Sequence, residues 1–253
     1  MLGVTSSSTT VQLTVADGLA RLVLDGPQHH NALNAETASA LIAACDEIDA
    51  SADVGVVVLT GANGTFCSGA VRGYLDDLGV LPADEMYAGL EAVYAAFDRV
   101  GRLRVPTLAR MEGAAVGAGV NLALAADVRL ATVDARIFSG FAAVGIHPGG
   151  GHLYLVDRLA GAQAAAAMGL FARPLSGARA REIGIVWEAF SDAATLDSAV
   201  EEACAPLRRD PELARALKST FALTVAPSGP WAAATEIERS RQMWSLARAA
   251  RRH

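Results

Sequence analysis

The sequence is poor in cysteine, and this limits the kinds of fold and site that it can form. Cys45, Cys67 and Cys204 are its three cysteines among 253 residues, and none of them has a partner at short spacing. Small secreted domains and zinc sites depend on several closely spaced cysteines. The sequence therefore indicates neither a disulfide framework nor a zinc site.

Charged residues and long apolar runs are also scarce. Charged residues make up 19% of the chain and hydrophobic residues 52%, a balance that favours a buried core over disorder. The net charge of -6 argues against nucleic acid as a general partner. No apolar run approaches the ~20 residues of a membrane span. Residues 1–10 lack the basic start and apolar core of a signal peptide, so we expect a cytoplasmic protein.

Short strand and helix patterns alternate through the first two thirds of the chain. Residues 11–25 give two period-two strand patterns joined at Asp17-Gly18, a pair that favours a hairpin turn. Residues 54–61 and 105–113 are short apolar runs, typical of strands buried on both faces. Residues 84–101, between them, have helical spacing. This alternation predicts an α/β fold.

Further elements complete the predicted order. Asn34 is the expected N-cap of a helix, and residues 117–119 open another. Residues 127–132 form a further short strand, whereas residues 137–151 show no regular pattern. A long helical part follows. Its expected breaks are at Pro174, Pro206, Pro211 and Pro227.

Several familiar catalytic and nucleotide-binding motifs are incomplete or absent. Gly117-x-Gly119 lacks the third glycine of a dinucleotide fingerprint, and no Walker sequence is present. Ser68 lacks the leading glycine of the nucleophile elbow of serine hydrolases. His147 and His152 flank a Pro-Gly-Gly-Gly turn without an acidic partner, so we expect no metal there.

With these side-chain motifs absent, the candidate reactive groups of the glycine-rich segments are their main-chain N–H groups. A helix that opens at 117–119 exposes unpaired N–H groups and the positive end of its dipole. The segment 67–70 follows another strand and can supply a second N–H group. Two convergent N–H groups form an oxyanion hole, which stabilises a negatively charged oxygen. The alternative interpretation is that these glycines only permit tight packing of helix against strand.

Four ordered motifs carry a resemblance to a known family. PQHHNALN at 27–34, TGANGTFCSGA at 60–70, EGAAVGAGVNLALAADVRLAT at 112–132 and VGIHPGGG at 144–151 together resemble the enoyl-CoA hydratase/isomerase (crotonase) family. The resemblance implies a spiral of repeated ββα units, which we place at residues 1–195. It also implies a helical oligomerisation region, which we place at 196–253, and trimers or hexamers of the chain.

The resemblance further implies a ligand and the residues that bind it. Members of this family bind acyl-CoA thioesters, with coenzyme A as part of the substrate and no permanently bound cofactor. Their two oxyanion donors correspond to the N–H groups of Ala70 and Ala118. The contacts to coenzyme A correspond to His30, Ala32, Leu33, Ser68, Ala70 and Val71.

Three positions depart from the pattern of hydratases in this family. The two acid/base glutamates correspond to Asn121 and Phe141, and the segment 138–145 around the second is one residue short. The family aspartate after the first oxyanion donor corresponds to Val71. Because an amide and a phenyl ring cannot exchange protons near neutral pH, we expect hydration by the ordinary mechanism to be inefficient.

Other side chains are candidates for proton transfer. Some relatives, such as dehalogenases and naphthoate synthases, place a catalytic aspartate in the segment that matches 147–149. His147 lies there and either titrates near neutrality or braces the turn at Pro148. Four acidic residues on the expected variable loop are either surface charges or neighbours of the acyl pocket: Asp76, Asp77, Asp84 and Glu85. We interpret Cys67 as a packing residue.

Two functions of different classes follow from these observations. The first is an enzyme of this family that relies on oxyanion stabilisation, with His147 as a candidate acid/base. The second is a non-catalytic protein that binds acyl-CoA, and a weaker third is a subunit of a mixed oligomer. Ile237, Trp244 and Leu246 lie among charges in a C-terminal helix that we expect to pack on a neighbouring chain or on the core.

Overall fold

The computed structural model describes residues 8–225 and 229–251. Within these ranges nine strands form a six-stranded and a three-stranded sheet. The strands are β1 (Thr10–Ala16), β2 (Leu19–Asp25), β3 (Val56–Gly61), β4 (Thr107–Met111), β5 (Ala114–Val116), β6 (Val128–Thr132), β7 (Arg136–Phe138), β8 (Leu175–Ser176) and β9 (Glu188–Phe190). The helices are α1 (Ala35–Ala50), α2 (Arg72–Val80), α3 (Ala83–Gly101), α4 (Ala118–Ala125), α5 (His152–Ala165), α6 (Gly177–Glu182), α7 (Ala193–Arg209), α8 (Pro211–Thr224) and α9 (Gly229–Ala250).

The larger sheet is mostly parallel and follows the order β1-β2-β3-β4-β6-β9. Its first pair, β1 and β2, is antiparallel, and every later pair is parallel. The smaller sheet has the order β5-β7-β8. The α/β fold expected from the alternating patterns is therefore confirmed.

The hairpin between β1 and β2 turns where the sequence predicts it. Asp17 and Gly18 both have positive φ angles, 49° and 78°. Two successive residues of this conformation match the right-handed twist of the strands that they join. A side chain at Gly18 would lie 2.2 Å from the carbonyl oxygen of Arg208, so the same glycine lets α7 approach the turn.

Strand β3 is buried on both faces, as its apolar run predicts. Val57 and Leu59 belong to the main core with α1 and α3, whereas Val56 and Val58 belong to a second core. Helix α7 covers that second core, which includes its residues Leu196, Val200 and Cys204. Alternate side chains of a strand point to opposite faces, which explains this division.

Helix α1 begins as predicted. The Asn34 side chain accepts a hydrogen bond from Thr37 N at 2.9 Å, which satisfies one of the free N–H groups of the first turn. Leu41, Cys45 and Ile48 are buried along one face. Their spacing follows the helical period.

The structure corrects several expectations. Pro206 does not break a helix but lies inside α7. The proline removes one main-chain hydrogen bond near the helix end, and the packing of α7 on the sheet offsets this loss. Breaks do occur at Pro174 and Pro211, and Pro227 lies outside the described residues. The patterns also missed α2 and the strands β5, β7, β8 and β9, which have only two or three residues each.

The C-terminal part contains α7, α8 and α9. Helix α7 begins at Ala193 and packs on the six-stranded sheet, so helical packing on the core starts there. The division at residue 195 stays a prediction. Among the described residues, no helix has both the length and the apolarity to cross a membrane.

Candidate active site

The structure brings together the two segments that the sequence analysis assigns to coenzyme A. Ser68 N donates to His30 O at 3.0 Å, Leu33 N to Gly69 O at 2.7 Å, and Val71 N to Leu33 O at 2.8 Å. These bonds hold residues 30–33 beside 68–71 like a short parallel ladder. Of the predicted contact residues, His30 is exposed, Ser68, Ala70 and Val71 are half-buried, and Ala32 and Leu33 are buried.

Asn31 fixes the conformation of the first segment, a role that the sequence pattern does not predict. Its amide nitrogen donates to Ala62 O at 2.9 Å and to Thr65 O at 2.6 Å, and its Oδ1 accepts from Gly26 N at 2.9 Å. The residue is buried and has a φ of 61°, a conformation that asparagine tolerates better than most residues. The only signal in the sequence was its place between a histidine and an alanine in a polar turn.

Two strand exits lie side by side because their glycines have no side chains. Cys67 and Ala115 form an isolated parallel bridge, with Cys67 N bonded to Ala114 O and Val116 N to Cys67 O. A Cβ atom on Gly119 would lie 2.2 Å from Cys67 O. Glycine is therefore required for this approach of α4 to the first strand exit.

The same approach places the two predicted oxyanion donors next to each other. A Cβ atom on Gly69 would lie 3.6 Å from Ala118 N, so Ala118 N lies close to the residue that precedes Ala70. Neither Ala70 N nor Ala118 N donates to another main-chain group within the described ranges. Ala118 is the first residue of α4, where N–H groups have no partner in the helix. Both groups are available to a ligand.

A pocket of about 190 Å³ opens at these donors. Its lining is mostly apolar. Polar side chains in the lining belong to Ser68, Arg72, Tyr74, Tyr94, Asn121, Ser139 and Gln242. Among the described residues that line it, none carries a carboxylate.

Asn121 lies in the wall of this pocket with its amide hydrogen-bonded on both sides. Its nitrogen donates to Gly149 O at 2.8 Å, and its Oδ1 lies 2.7 Å from His152 Nδ1. The other imidazole nitrogen, His152 Nε2, lies 2.6 Å from Ser139 Oγ. Burial lowers the pKa of His152 to about 4, so the ring is neutral at pH 7. The sequence pattern marks His152 only as a possible metal ligand and gives Ser139 no distinguishing signal.

Phe141, at the position implied for the second glutamate, also lines the pocket. Its side chain is buried, and its Cζ atom would lie 3.7 Å from a Cβ atom on Gly117. Gly117, the residue before Ala118, thus lies close to the phenyl ring. An apolar ring occupies this part of the pocket wall beside the oxyanion donors.

His147 lies beside the pocket and not among its lining residues in the described chain. Its Nδ1 is 2.7 Å from Pro148 O, and its main-chain N–H donates to Ser245 Oγ at 2.9 Å. The residue is half-buried. These contacts hold the turn at Pro148, while a role of His147 in proton transfer stays a prediction.

The four acidic residues expected on a variable loop lie instead on helices. Asp76 and Asp77 belong to α2, and Asp84 and Glu85 to the first turn of α3. All four are exposed and none lines the pocket. The prediction of a loop is wrong for Asp76 and Asp77, because the apolar residues of 72–80 pack this segment as a helix against α9 and α3. Asp84 and Glu85 lie in the helix that the spacing of residues 84–101 predicts.

Cys67 is fully buried beneath the donors, which fits its interpretation as a packing residue. Burial raises the pKa of its thiol to about 12, so the reactive thiolate does not form at neutral pH. No group of three or more potential metal ligands is present in the portion of the chain that the structure describes.

Helix α9 completes the pocket. Gln242 lines it and is hydrogen-bonded to the hydroxyl of Tyr94 from α3. One turn earlier, the Glu238 carboxylate accepts from His152 N at 2.7 Å and from Leu153 N at 2.9 Å. It therefore caps the start of α5, where negative charge is favoured by the helix dipole, although burial raises its pKa.

Comparison with known proteins gives this arrangement a family. Residues 14–248 match the family model for enoyl-CoA hydratase/isomerase. The chain belongs to the enoyl-CoA hydratase/isomerase family. It is 36% identical over 217 residues to the probable enoyl-CoA hydratase EchA14 of Mycobacterium tuberculosis, covering 86% of this chain and 83% of that one. It is also 30% identical over 189 residues to 1,2-epoxyphenylacetyl-CoA isomerase of Escherichia coli, covering 73% and 71%.

Solved structures confirm the crotonase fold that the resemblance implied. An enoyl-CoA hydratase from Mycobacterium avium subsp. paratuberculosis superposes with a TM-score of 0.81 at 27% identity, covering 94% of this chain and 91% of that one. An enoyl-CoA hydratase from Bacillus halodurans superposes with a TM-score of 0.86 at 20% identity, covering 95% and 96%.

Proposed function

We propose that the chain is an enzyme that binds acyl-CoA thioesters in this pocket and stabilises the oxyanion formed on the thioester carbonyl. The N–H groups of Ala70 and Ala118 are the donors. Coenzyme A is part of the substrate, and no cofactor is permanently bound. The residues proposed to contact coenzyme A are His30, Ala32, Leu33, Ser68, Ala70 and Val71.

One observation carries this proposal: two main-chain N–H groups without main-chain partners face one mostly apolar pocket. Gly69 and Gly119 allow the close approach of the two strand exits, and a side chain at either position would collide with main-chain oxygen. Donors fixed in this way need no reorganisation when charge develops on a carbonyl oxygen. Membership of the family supplies the ligand class, because the relatives are named for CoA thioesters.

The proposal includes inefficient hydration of ordinary enoyl thioesters. No carboxylate lines the described pocket wall, and Asn121 and Phe141 occupy the two positions implied for glutamates. General acid and base groups each contribute about 10²–10⁴ in rate. The pocket therefore keeps the electrostatic part of the family's chemistry and lacks the ordinary groups for activating water.

The test measures binding and turnover of acyl-CoA and enoyl-CoA thioesters in parallel. Bound thioesters are expected to raise the melting temperature, since they bind only the folded chain. If a range of acyl-CoAs gives no shift with folded protein, the proposal is wrong. Binding without turnover of any thioester identifies the alternative, a non-catalytic acyl-CoA-binding protein.

A pair of proline variants tests the oxyanion donor itself. Ala118→Pro removes one N–H group at the first position of α4, where proline is tolerated. Ala193→Pro is the control, because Ala193 has the same position in α7. We expect Ala118→Pro to lower kcat by about 10²–10³ and Ala193→Pro to leave it unchanged. Equal activity of the two folded variants would exclude Ala118 N as a donor.

A further inference from the structure

Three side chains beside the oxyanion donors form one hydrogen-bonded series. Ser139 Oγ lies 2.6 Å from His152 Nε2, and His152 Nδ1 lies 2.7 Å from Asn121 Oδ1. The three residues come from different elements: Ser139 follows β7, His152 is the first residue of α5, and Asn121 lies on α4. All three are buried, and Ser139 and Asn121 line the pocket.

The hydrogen bonds of Asn121 determine which imidazole nitrogen carries the proton. Its amide nitrogen donates to Gly149 O at 2.8 Å, so the Oδ1 atom is the one that faces His152. An amide oxygen only accepts, and His152 Nδ1 must therefore donate. In the neutral ring, Nε2 then has a free lone pair that accepts the hydroxyl proton of Ser139. This is the arrangement of a hydroxyl nucleophile, a base and a group that orients the base.

The contacts of Gly117 place Ser139 near the proposed oxyanion donors. Gly117 N donates to Phe138 O at 2.9 Å, and a Cβ atom on Gly117 would lie 3.5 Å from Ser139 O. Gly117 directly precedes the donor Ala118. Ser139 and Ala118 therefore each follow a residue, Phe138 and Gly117, that is hydrogen-bonded to the other.

Other hydroxyl and thiol groups near the donors lack this arrangement. Ser68 Oγ donates to His29 O at 2.8 Å, which offers no base for its proton. Cys67 is fully buried, and its Sγ lies 4.0 Å from Gly69 O. Tyr74 donates to Gly89 O at 2.6 Å. Of these groups, Ser139 is the one paired with an imidazole.

We propose that Ser139 is a nucleophile that accepts the acyl group of a bound thioester and that water then releases it, so that the chain hydrolyses acyl-CoA. His152 is the base, and Asn121 is a positioning residue that holds its tautomer. This inference rests on the proposed function, because it requires the thioester carbonyl to occupy the site of Ala70 N and Ala118 N.

The reaction has two balanced steps. Ser139 Oγ attacks the thioester carbonyl carbon, its proton passes to His152 Nε2, and the C–S bond breaks as the thiol of coenzyme A leaves with that proton. An ester of Ser139 remains. Water then attacks the ester carbonyl and gives a proton to His152, which returns it to Ser139 Oγ as the carboxylic acid leaves. The two donors stabilise the oxyanion in both steps.

The surroundings of His152 give the reaction a recognisable pH dependence. The ring of Phe141 covers one side of the imidazole, and the Glu238 carboxylate binds its main-chain N–H group. Within the described residues, the hydrogen-bond partners of the ring are the uncharged side chains of Ser139 and Asn121. Because burial lowers the pKa of His152 to about 4, hydrolysis should persist below pH 6 and fall only as the pH approaches that value.

The test uses the full-length protein with acetyl-CoA, butyryl-CoA and longer acyl-CoAs. Thiol release measures hydrolysis, and intact-mass spectrometry after acid quenching detects one added acyl group, which peptide mapping then locates. Ser139→Ala is expected to bind acyl-CoA as the native protein does, to show no adduct and to hydrolyse at least about 100-fold more slowly. Ser139→Cys keeps a nucleophile, and its acylation would show that the loss in Ser139→Ala is chemical.

Two further variants separate nucleophile, base and background. His152→Gln is expected to abolish acylation while Ser139 is still present. Ser198→Ala removes an exposed hydroxyl on α7, whose Oγ donates to Ala194 O at 3.0 Å, and is expected to behave as native. Hydrolysis by folded Ser139→Ala at the native rate would overturn the proposal.

The outcomes distinguish this proposal from the one on which it rests. If acyl-CoA binds but native protein neither releases thiol nor gains an acyl group, the nucleophile is wrong and the proposed function stands. If no acyl-CoA binds, the proposed function fails, and p-nitrophenyl butyrate tests Ser139 without the coenzyme. Labelling of Ser139 by that ester would support the nucleophile, and absence of labelling would overturn it.

Discussion

The phenyl ring of Phe141 meets the imidazole of His152 edge-on, with ring centroids 5.1 Å apart and planes inclined at 65°. A carboxylate of a hydratase is expected at position 141 by resemblance. Here an apolar ring fills that place and packs on a buried, neutral imidazole. In the proposed function, the two residues give this wall of the pocket a chemistry that differs from that of an ordinary hydratase.

Restoring one glutamate is expected to restore little hydration. In Asn121→Glu the carboxylate would face Gly149 O without the amide hydrogen that now binds it, and Phe141 would still fill the second position. The two hydratase glutamates act on one water, so their effects are non-additive. Initial rates of crotonyl-CoA hydration should be low for native protein and for Asn121→Glu.

Restoring the second position together with the loop length is expected to help more. Phe141→Glu combined with one residue inserted in the segment 138–145 should hydrate crotonyl-CoA faster than either change alone. Circular dichroism of each variant controls for folding. A native rate comparable to that of ordinary hydratases would contradict both predictions and would require another group to transfer the proton.

His152 should make stability depend on pH in a defined window. Burial lowers its pKa from 6.5 to about 4, so the unfolded chain binds a proton that the folded chain rejects between these values. The stabilisation is complete above pH 6.5 and is lost as the pH falls towards 4. Urea unfolding at several pH values should show this fall for native protein and a weaker one for His152→Gln.

Comparing how the stabilities of native protein and His152→Gln change with pH separates the contribution of His152 from that of its ionisable neighbour Glu238. Glu238 has a raised pKa and thus contributes in the opposite direction, with stability lost as the pH rises, but it is present in both proteins. Parallel slopes for native protein and His152→Gln would mean that the imidazole is not held neutral.

Gly119 should tolerate no side chain, in contrast to Gly73. A Cβ atom on Gly119 would lie 2.2 Å from Cys67 O, whereas one on Gly73 in α2 meets nothing within 4 Å. We expect Gly119→Ala to lower the free energy of unfolding by about 1–3 kcal/mol, because main-chain atoms must move. Gly73→Ala should be neutral or raise it by up to about 1 kcal/mol. Equal stabilities in urea would contradict this packing.

Assembly stays a prediction that light scattering can check. Ile237 and Trp244 on α9 are 70% and 57% exposed in the single chain, while Leu246 on the same helix is buried at 4%. Large exposed apolar side chains favour an interface with a neighbouring chain. The expected mass at micromolar concentration is that of a trimer or hexamer, and a monomer would refute the expectation.

Several local main-chain features of the fold were predictable because they depend on short patterns in the sequence. Asn34 as a cap, Asp17-Gly18 as a turn and the small residues 117–119 at a helix start each express a conformational preference of a few neighbouring residues. The proposed donors Ala70 and Ala118 needed the resemblance in addition, since no local pattern shows that two strand exits meet.

The side-chain network was not predictable in the same way. Asn121, Ser139 and His152 are separated by 18 and 13 positions, and their contacts depend on an irregular segment and on the start of α5. Period and propensity say nothing about which buried polar groups meet across such a segment. A histidine directly after three glycines and a serine in a shortened loop were the available signals.

In both sheets, the strands lie side by side in the same order in which they occur in the sequence. In the larger sheet each strand after β1 therefore pairs with one that has already left the ribosome, and no position must be kept open for a later strand. Such pairing reduces the time for which an unpaired edge is exposed, and exposed edges promote aggregation. The order of the strands thus suits a sheet that grows at one edge during synthesis.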